Sequence, residues 1–256
     1  MMTAIVALLI GTSAKAIGIP GAGQMVHQAQ CITPRANPGA PVGVLYAHGW
    51  FEKRGSSGYV KLEEDNRKKW QEYADYYNVA VAVPVSEVVN GKGYRTWGRR
   101  TPEETLAAMK DLARFACGGR PTVEGLMLVG FSDGGYATRR IALNCVARKP
   151  EFAAVVMMGA KPSSATSKVA YRQDCAPLIA IRGKGDGSTD PQGGFYPAAK
   201  AMIASIGGNG VVAEPYKGKH EVPNLDDLIY LTELAKPGFL RIANPPVRVT
   251  NQGGWM

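Results

Sequence analysis

The sequence predicts a single α/β domain, a mostly parallel central sheet with helices on both faces. Three observations lead there. Between residues 41 and 235, short runs rich in apolar and branched residues alternate with longer stretches of helical periodicity. That is the pattern of a parallel sheet whose crossovers are helices. The length, 256 residues, falls within the range of one such domain and allows roughly 70% of the unfolded surface to be buried around one core. Finally, the apolar run Leu126-Met127-Leu128-Val129 passes through a glycine-rich turn directly into helix formers.

The elements follow in order. Residues 41–47 are a strand. Residues 61–77 are helical, with Leu62, Trp70, Tyr73 and Tyr77 inward and the charges elsewhere. Residues 79–83 are the next strand, closed by Pro84. Thr101-Pro102-Glu103-Glu104 opens a helix, with Thr as cap, Pro first and Glu third, and the helix runs to about Cys117. Residues 125–129 form the strand before the glycine-rich turn, and 137–146 the helix after it. Strands at 153–158 and 177–182 flank a polar stretch containing Ser163, Ser164, Ser167 and Gln173. A helix over 196–205 ends at Gly207-Gly208, and 211–216 is a short strand. Asn224 caps a last helix reaching about Ala235, with Asp227 at its third position. Residues 237–256, with Pro237, Pro245, Pro246 and Gly253-Gly254, read as an extended tail. There are no internal repeats, no low-complexity tracts and no domain boundary.

At the amino terminus, residues 3–10 are apolar and lead to Ala14-Lys15-Ala16. A short apolar run before an A-x-A site predicts a secretory signal peptide over 1–16, a mature domain over 17–256, and a secreted or periplasmic location. The competing expectation is a buried strand over residues 4–10. The run is too short to cross a bilayer, and no other segment is a candidate span. Cys31, Cys117, Cys145 and Cys175 are an even number. In an exported protein they predict one or two disulfides, with three complete pairings open, and buried free thiols are the alternative. Their spacing matches no zinc pattern. The formal net charge of +9 is scattered along the chain. Its densest group, Tyr94-Arg95-Thr96-Trp97-Gly98-Arg99-Arg100, follows a strand. Arg95, Trp97 and, from an earlier loop, Phe51 are candidate substrate contacts at a site rim; the plainer expectation is a solvated basic loop. No nucleic-acid-binding pattern accompanies the charge, so no nucleic-acid partner is expected.

The chemistry concentrates in Gly130-Phe131-Ser132-Asp133-Gly134-Gly135. A serine hydroxyl is a poor nucleophile until it is exposed and paired with a base. A sharp strand-to-helix turn thrusts Ser132 outward, glycines leave room for the turn, and the helix start directs N–H groups at developing negative charge. In the fold that carries such a turn the triad runs serine, then acid, then histidine along the chain. Of His27, His48 and His220 only the last lies after Ser132, so His220 is the candidate base. The acids between them are Glu151, Asp174, Asp186, Asp190 and Glu214. Asp186 leaves the carboxyl end of the strand over 177–182, where open parallel sheets place their sites; Asp190, in the same loop, is the alternative. The early strand over residues 41–47 runs into His48-Gly49-Trp50. The N–H groups of Asp133 and Trp50 are the candidate oxyanion donors, and His48 buttresses the loop.

His48-Gly49, GFSDGG, Gly183-x-x-Asp186 and His220, in this order, resemble the α/β-hydrolase superfamily over about residues 40–235. The size and the lack of a large lid insertion are similar to small bacterial esterases, dienelactone-hydrolase-like proteins and the polyester depolymerase or feruloyl esterase group. The resemblance implies Ser132 as nucleophile, Asp186 as orienting acid and His220 as base. It also implies hydrolysis of a small-molecule or polymer-derived ester, without metal or organic cofactor. Two positions depart from it: Trp50 stands where many depolymerase-type members have cysteine, and residue 132 is serine where dienelactone hydrolases use cysteine. A serine peptidase or amidase, or a non-catalytic binding protein of this fold, are the alternatives.

Overall fold

A computed structural model describes residues 29–52, 57–98, 100–163, 172–189 and 194–235. The expected signal segment, Asp190 and the tail over 237–256 lie outside the described residues. In chain order the elements are β1 (Gln30–Ile32), β2 (Val42–Ala47), β3 (Phe51–Glu52), α1 (Ser57–Tyr77), β4 (Ala80–Val83), β5 (Tyr94–Arg95) and α2 (Pro102–Ala116). There follow β6 (Thr122–Phe131), α3 (Asp133–Leu143), β7 (Phe152–Met158), β8 (Leu178–Ile181), α4 (Phe195–Ala204), β9 (Gly210–Val212) and α5 (Leu225–Leu234).

Seven strands form one sheet in the order β1-β4-β2-β6-β7-β8-β9. All neighbours run parallel except the edge strand β1, which lies antiparallel to β4. The period-2 alternation of a strand covered on both faces divides the core in two. Along β2, Leu45 and Ala47 join the layer packed by α2, α3 and α4, while Val44 and Tyr46 join the layer packed by α1 and α5. No separate lid domain stands among the described residues, and no described helix is long and apolar enough to cross a membrane.

The end signals act locally as the residues require. Thr101 and Glu104 form a reciprocal capping box at α2, and the Asn224 side chain accepts from the Asp227 N–H at α5. Four expectations need correction. Strand β1 and the small β3–β5 sheet went unpredicted, because strands of two or three residues show no periodicity. Helix α1 begins at Ser57 rather than near residue 61, and α3 at Asp133 rather than 137. Strand β9 covers residues 210–212 rather than the expected 211–216. Not every polar residue of α1 faces water: Trp70, Tyr73 and Tyr77 are buried, but so are Glu63 and Asn66.

Two disulfides resolve the pairing. Cys31–Cys117 ties β1 to the end of α2, and Cys145–Cys175 ties the segment after α3 to the approach of β8. No free cysteine stands among the described residues.

Candidate active site

Strand β6 ends at Phe131 and α3 begins at Asp133, so Ser132 alone makes the turn. Its φ of 53° and ψ of −112° lie where non-glycine residues are uncommon. The turn is tolerable only because its flanks lack side chains. A Cβ on Gly130 would fall 2.1 Å from the Gly134 carbonyl oxygen, and one on Gly134 would fall 2.0 Å from the Ala47 oxygen. One on Gly135 would meet the Met158 oxygen at 2.6 Å. The glycines thus let α3 start against the ends of β2 and β7, leaving Ser132 partly exposed.

His220 lies on the loop between β9 and α5. Its Nε2 is 2.9 Å from Ser132 Oγ, and its Nδ1 is 2.9 Å from Asp186 Oδ2. Phe131 supports the imidazole from one side, ring centroids 4.8 Å apart. Gly159, just past β7, leaves space for the ring: a Cβ there would lie 3.3 Å from His220 Cε1. Asp186 follows β8, and its side chain is fully buried. Gly183 and Gly185 allow its loop to pass beneath the histidine loop, with the Gly185 N–H donating to the Gly218 carbonyl at 2.8 Å. A Cβ on Gly183 would fall 2.2 Å from the Lys219 oxygen.

The second Asp186 oxygen has its own partners. Oδ1 accepts from the Ser188 hydroxyl at 2.5 Å and from the Ser188 N–H at 3.1 Å. Burial pushes the Asp186 carboxyl up, but hydrogen bonds from His220 and Ser188, with the pull of His220, outweigh it and hold the group well below the usual carboxylate range. It is therefore ionised at neutral pH. Ser188 was not legible as a site residue: one serine in a polar loop carries no spacing signal.

The loop after β2 closes the other side. The Gly134 N–H donates to the His48 carbonyl at 3.0 Å, and a Cβ on Gly49 would lie 3.2 Å from Ser132 Cβ. His48 is buried and stays neutral, its pKa lowered to about 3 by burial. Its Nε2 accepts from the Ser86 N–H at 3.1 Å, so Nδ1 carries the proton and donates to the Gly49 carbonyl. The ring is a strut for the loop. The N–H of Asp133 heads α3 without an intrahelical partner. The Asp133 side chain turns inward: it accepts from the Trp97 N–H at 2.8 Å and from Thr96 Oγ1 at 3.1 Å, and the Trp50 indole also stabilises its charge.

The rim candidates stand elsewhere than expected. Trp97 is buried against His48, ring centroids 5.1 Å apart, as part of the core layer of α2 and α3. Arg95 is buried too, its guanidinium donating to the Ser86 carbonyl. Trp97 is held inward where its N–H and the Thr96 hydroxyl anchor the Asp133 carboxylate, and Arg95 where its guanidinium bonds the Ser86 carbonyl, so neither presents an open rim. The side chain of Phe51 lies outside the described residues; its backbone pairs with Arg95. At the exposed mouth stands Trp50, stacked on Tyr94 at 5.5 Å. The Cys145, Asp174 and Cys175 side chains also converge, but both sulfurs are committed to the disulfide.

No protein-family model and no curated protein matches the chain. Among solved structures, esterase PE8 superimposes with a TM-score of 0.52 and 15% identity, over 80% of this chain and 98% of that one. Acyl-protein thioesterase 2 of Zea mays gives a TM-score of 0.50 and 14% identity, over 82% and 99%. At these identities the likeness is one of fold.

Proposed function

We propose that this chain, which has the α/β-hydrolase fold, is a serine hydrolase that cleaves carboxylic esters through an acyl-enzyme. One observation carries the reading: His220 lies 2.9 Å from Ser132 Oγ on one ring nitrogen and 2.9 Å from Asp186 on the other. An imidazole held that way can take the hydroxyl proton and return it to a leaving alcohol.

In the proposed reaction Ser132 Oγ attacks the acyl carbon while its proton moves to His220 Nε2. Asp186 stabilises the imidazolium through Nδ1–H. The N–H groups of Asp133 and Trp50 receive the oxyanion. Collapse of the tetrahedral intermediate breaks the ester C–O bond, and His220 protonates the departing alcohol. Water, deprotonated by the same Nε2, then attacks the acyl carbon, releasing the acid and restoring Ser132. The likeness in fold to an esterase and an acyl-protein thioesterase favours esters over amides. The two disulfides fit work in an oxidising compartment, in keeping with removal of residues 1–16 on export and a mature domain over 17–256.

The test is turnover of p-nitrophenyl esters of graded acyl length. Wild-type protein is expected to hydrolyse them and to react with a fluorophosphonate probe. Ser132→Ala is expected to do neither while keeping its near-UV circular dichroism. Turnover retained by Ser132→Ala, or wild-type protein inert to esters and probe alike, overturns the reading.

A further inference from the structure

Helix α1 buries two polar side chains that the proposed reaction does not use. Glu63 is 2% exposed and Asn66 is 0% exposed. Burying a carboxylate and an amide costs free energy unless each finds a partner. Their partners are backbone groups of the two loops that flank Ser132. Glu63 Oε1 accepts from the Gly49 N–H at 3.3 Å. Asn66 Oδ1 accepts from the Val222 N–H at 3.1 Å. Residues three apart share a helix face, and Lys69, three further on, continues it. The Lys69 ammonium pairs with Glu221 Oε2 at 2.8 Å and also donates to the Val222 carbonyl.

Both loops are short-range determinants of the site. Gly49 lies directly against Ser132 and precedes Trp50. Glu221 and Val222 immediately follow His220. Tyr46 and Trp70, rings 5.0 Å apart, wall the face. The Glu63 carboxyl is faced by Tyr46 of β2 and by Arg67 and Asn66 of its own helix; Arg67 and Asn66 favour its charged form against the effect of burial.

We infer that α1 is a brace setting the separation of the Gly49 loop from the His220 loop, with Glu63 and Asn66 as positioning residues for the two halves of the site. This rests on the serine-hydrolase reading above. Glu63 fixes where the backbone donors after His48 stand, and Asn66 fixes where the imidazole stands. Neither touches the substrate, so loosening either lowers turnover without weakening ground-state binding.

The experiment measures kcat and KM for p-nitrophenyl acetate with wild-type protein, Ser132→Ala, Glu63→Leu, Glu63→Gln and Asn66→Leu, each checked for folding by thermal melting. Glu63→Leu and Asn66→Leu are expected to lose about tenfold or more in kcat, with KM within about threefold, since a displacement near 1 Å can cost a hundredfold. Glu63→Gln keeps an acceptor and is expected to stay within about threefold of wild type. Folded leucine variants that turn over like wild type overturn the brace, as does a loss confined to KM. If Glu63→Leu does not fold, Asn66→Leu and Glu63→Gln decide alone: unchanged kcat in the first, or in the second a loss as deep as tenfold, overturns it. Wild-type turnover abolished in Ser132→Ala keeps the hydrolase reading standing when the brace fails; inert wild-type protein overturns both.

Discussion

Ser188 Oγ stands 3.0 Å from His220 Nδ1 while donating to Asp186 Oδ1 at 2.5 Å. The serine therefore closes a triangle with the acid and the imidazole, on the side away from Ser132. The buried carboxylate keeps both oxygens occupied, and the His220 ring has a second anchor at Nδ1.

That triangle separates two substitutions. Ser188→Ala removes one hydrogen bond but leaves the carboxylate on the imidazole, so kcat is expected to fall about three- to tenfold. Asp186→Asn leaves the shape intact but removes the charge that fixes the tautomer, and kcat is expected to fall by about 10³ to 10⁴. Steady-state kinetics on one ester checks both. Equal losses in the two variants would mean that Asp186 only shapes the loop.

Glu63 predicts a pH signature in stability. Its pKa rises from 4.5 to about 7, first because of burial, with Arg67, the Gly49 N–H and Asn66 opposing. A carboxyl raised in the folded state binds its proton more tightly there than in the unfolded chain. The associated stabilisation is complete below the unfolded value and is lost as pH rises through 7. Against Glu63→Gln, which does not titrate, wild-type protein should therefore weaken between pH 4.5 and 8 by up to about 3 kcal/mol. Urea unfolding of both proteins at the two pH values measures this; a difference that does not change with pH contradicts it.

Two glycines near Ser132 should fail differently. A Cβ on Gly134 meets backbone of β2 at 2.0 Å, which no rotamer relieves. Gly134→Ala is expected to lose about 3 kcal/mol or more of stability and much of its soluble yield. A Cβ on Gly49 meets the Phe131 ring and Ser132 Cβ at 3.2 Å. Gly49→Ala should fold, but with the loop pushed off the serine and kcat reduced about tenfold or more. Melting curves and kinetics distinguish the two; a fully active Gly134→Ala protein would mean the elbow is looser than its packing implies.

The disulfides span separations of 86 and 30 residues. In the chain-entropy picture each contributes about 3–5 kcal/mol by restricting the unfolded chain, the longer loop more. Dithiothreitol is expected to lower the melting temperature by 10 °C or more for losses of about this size. Cys31→Ser with Cys117→Ser should cost more than Cys145→Ser with Cys175→Ser. No shift on reduction would show that the bridges add little.

What the sequence determined by itself was local. The elbow glycines, the Thr101 capping box, the Asn224 cap and the alternation of strand and helix each rest on a few consecutive residues, whose sterics and hydrogen bonds act within one turn. Ser132, Asp186 and His220 were readable as candidates because their order along the chain and their place after strands are sequence properties. Tertiary structure decided everything that depends on which distant segments meet. The disulfide pairing is one case. The inward turn of Trp97 is another, set by an Asp133 carboxylate 36 residues away. Glu63 and Asn66 look like solvated helix positions until their partners, 14 and 156 residues away, are packed against them. A polar side chain is buried only where a particular backbone group arrives to satisfy it, and periodicity along α1 carries no information about that arrival.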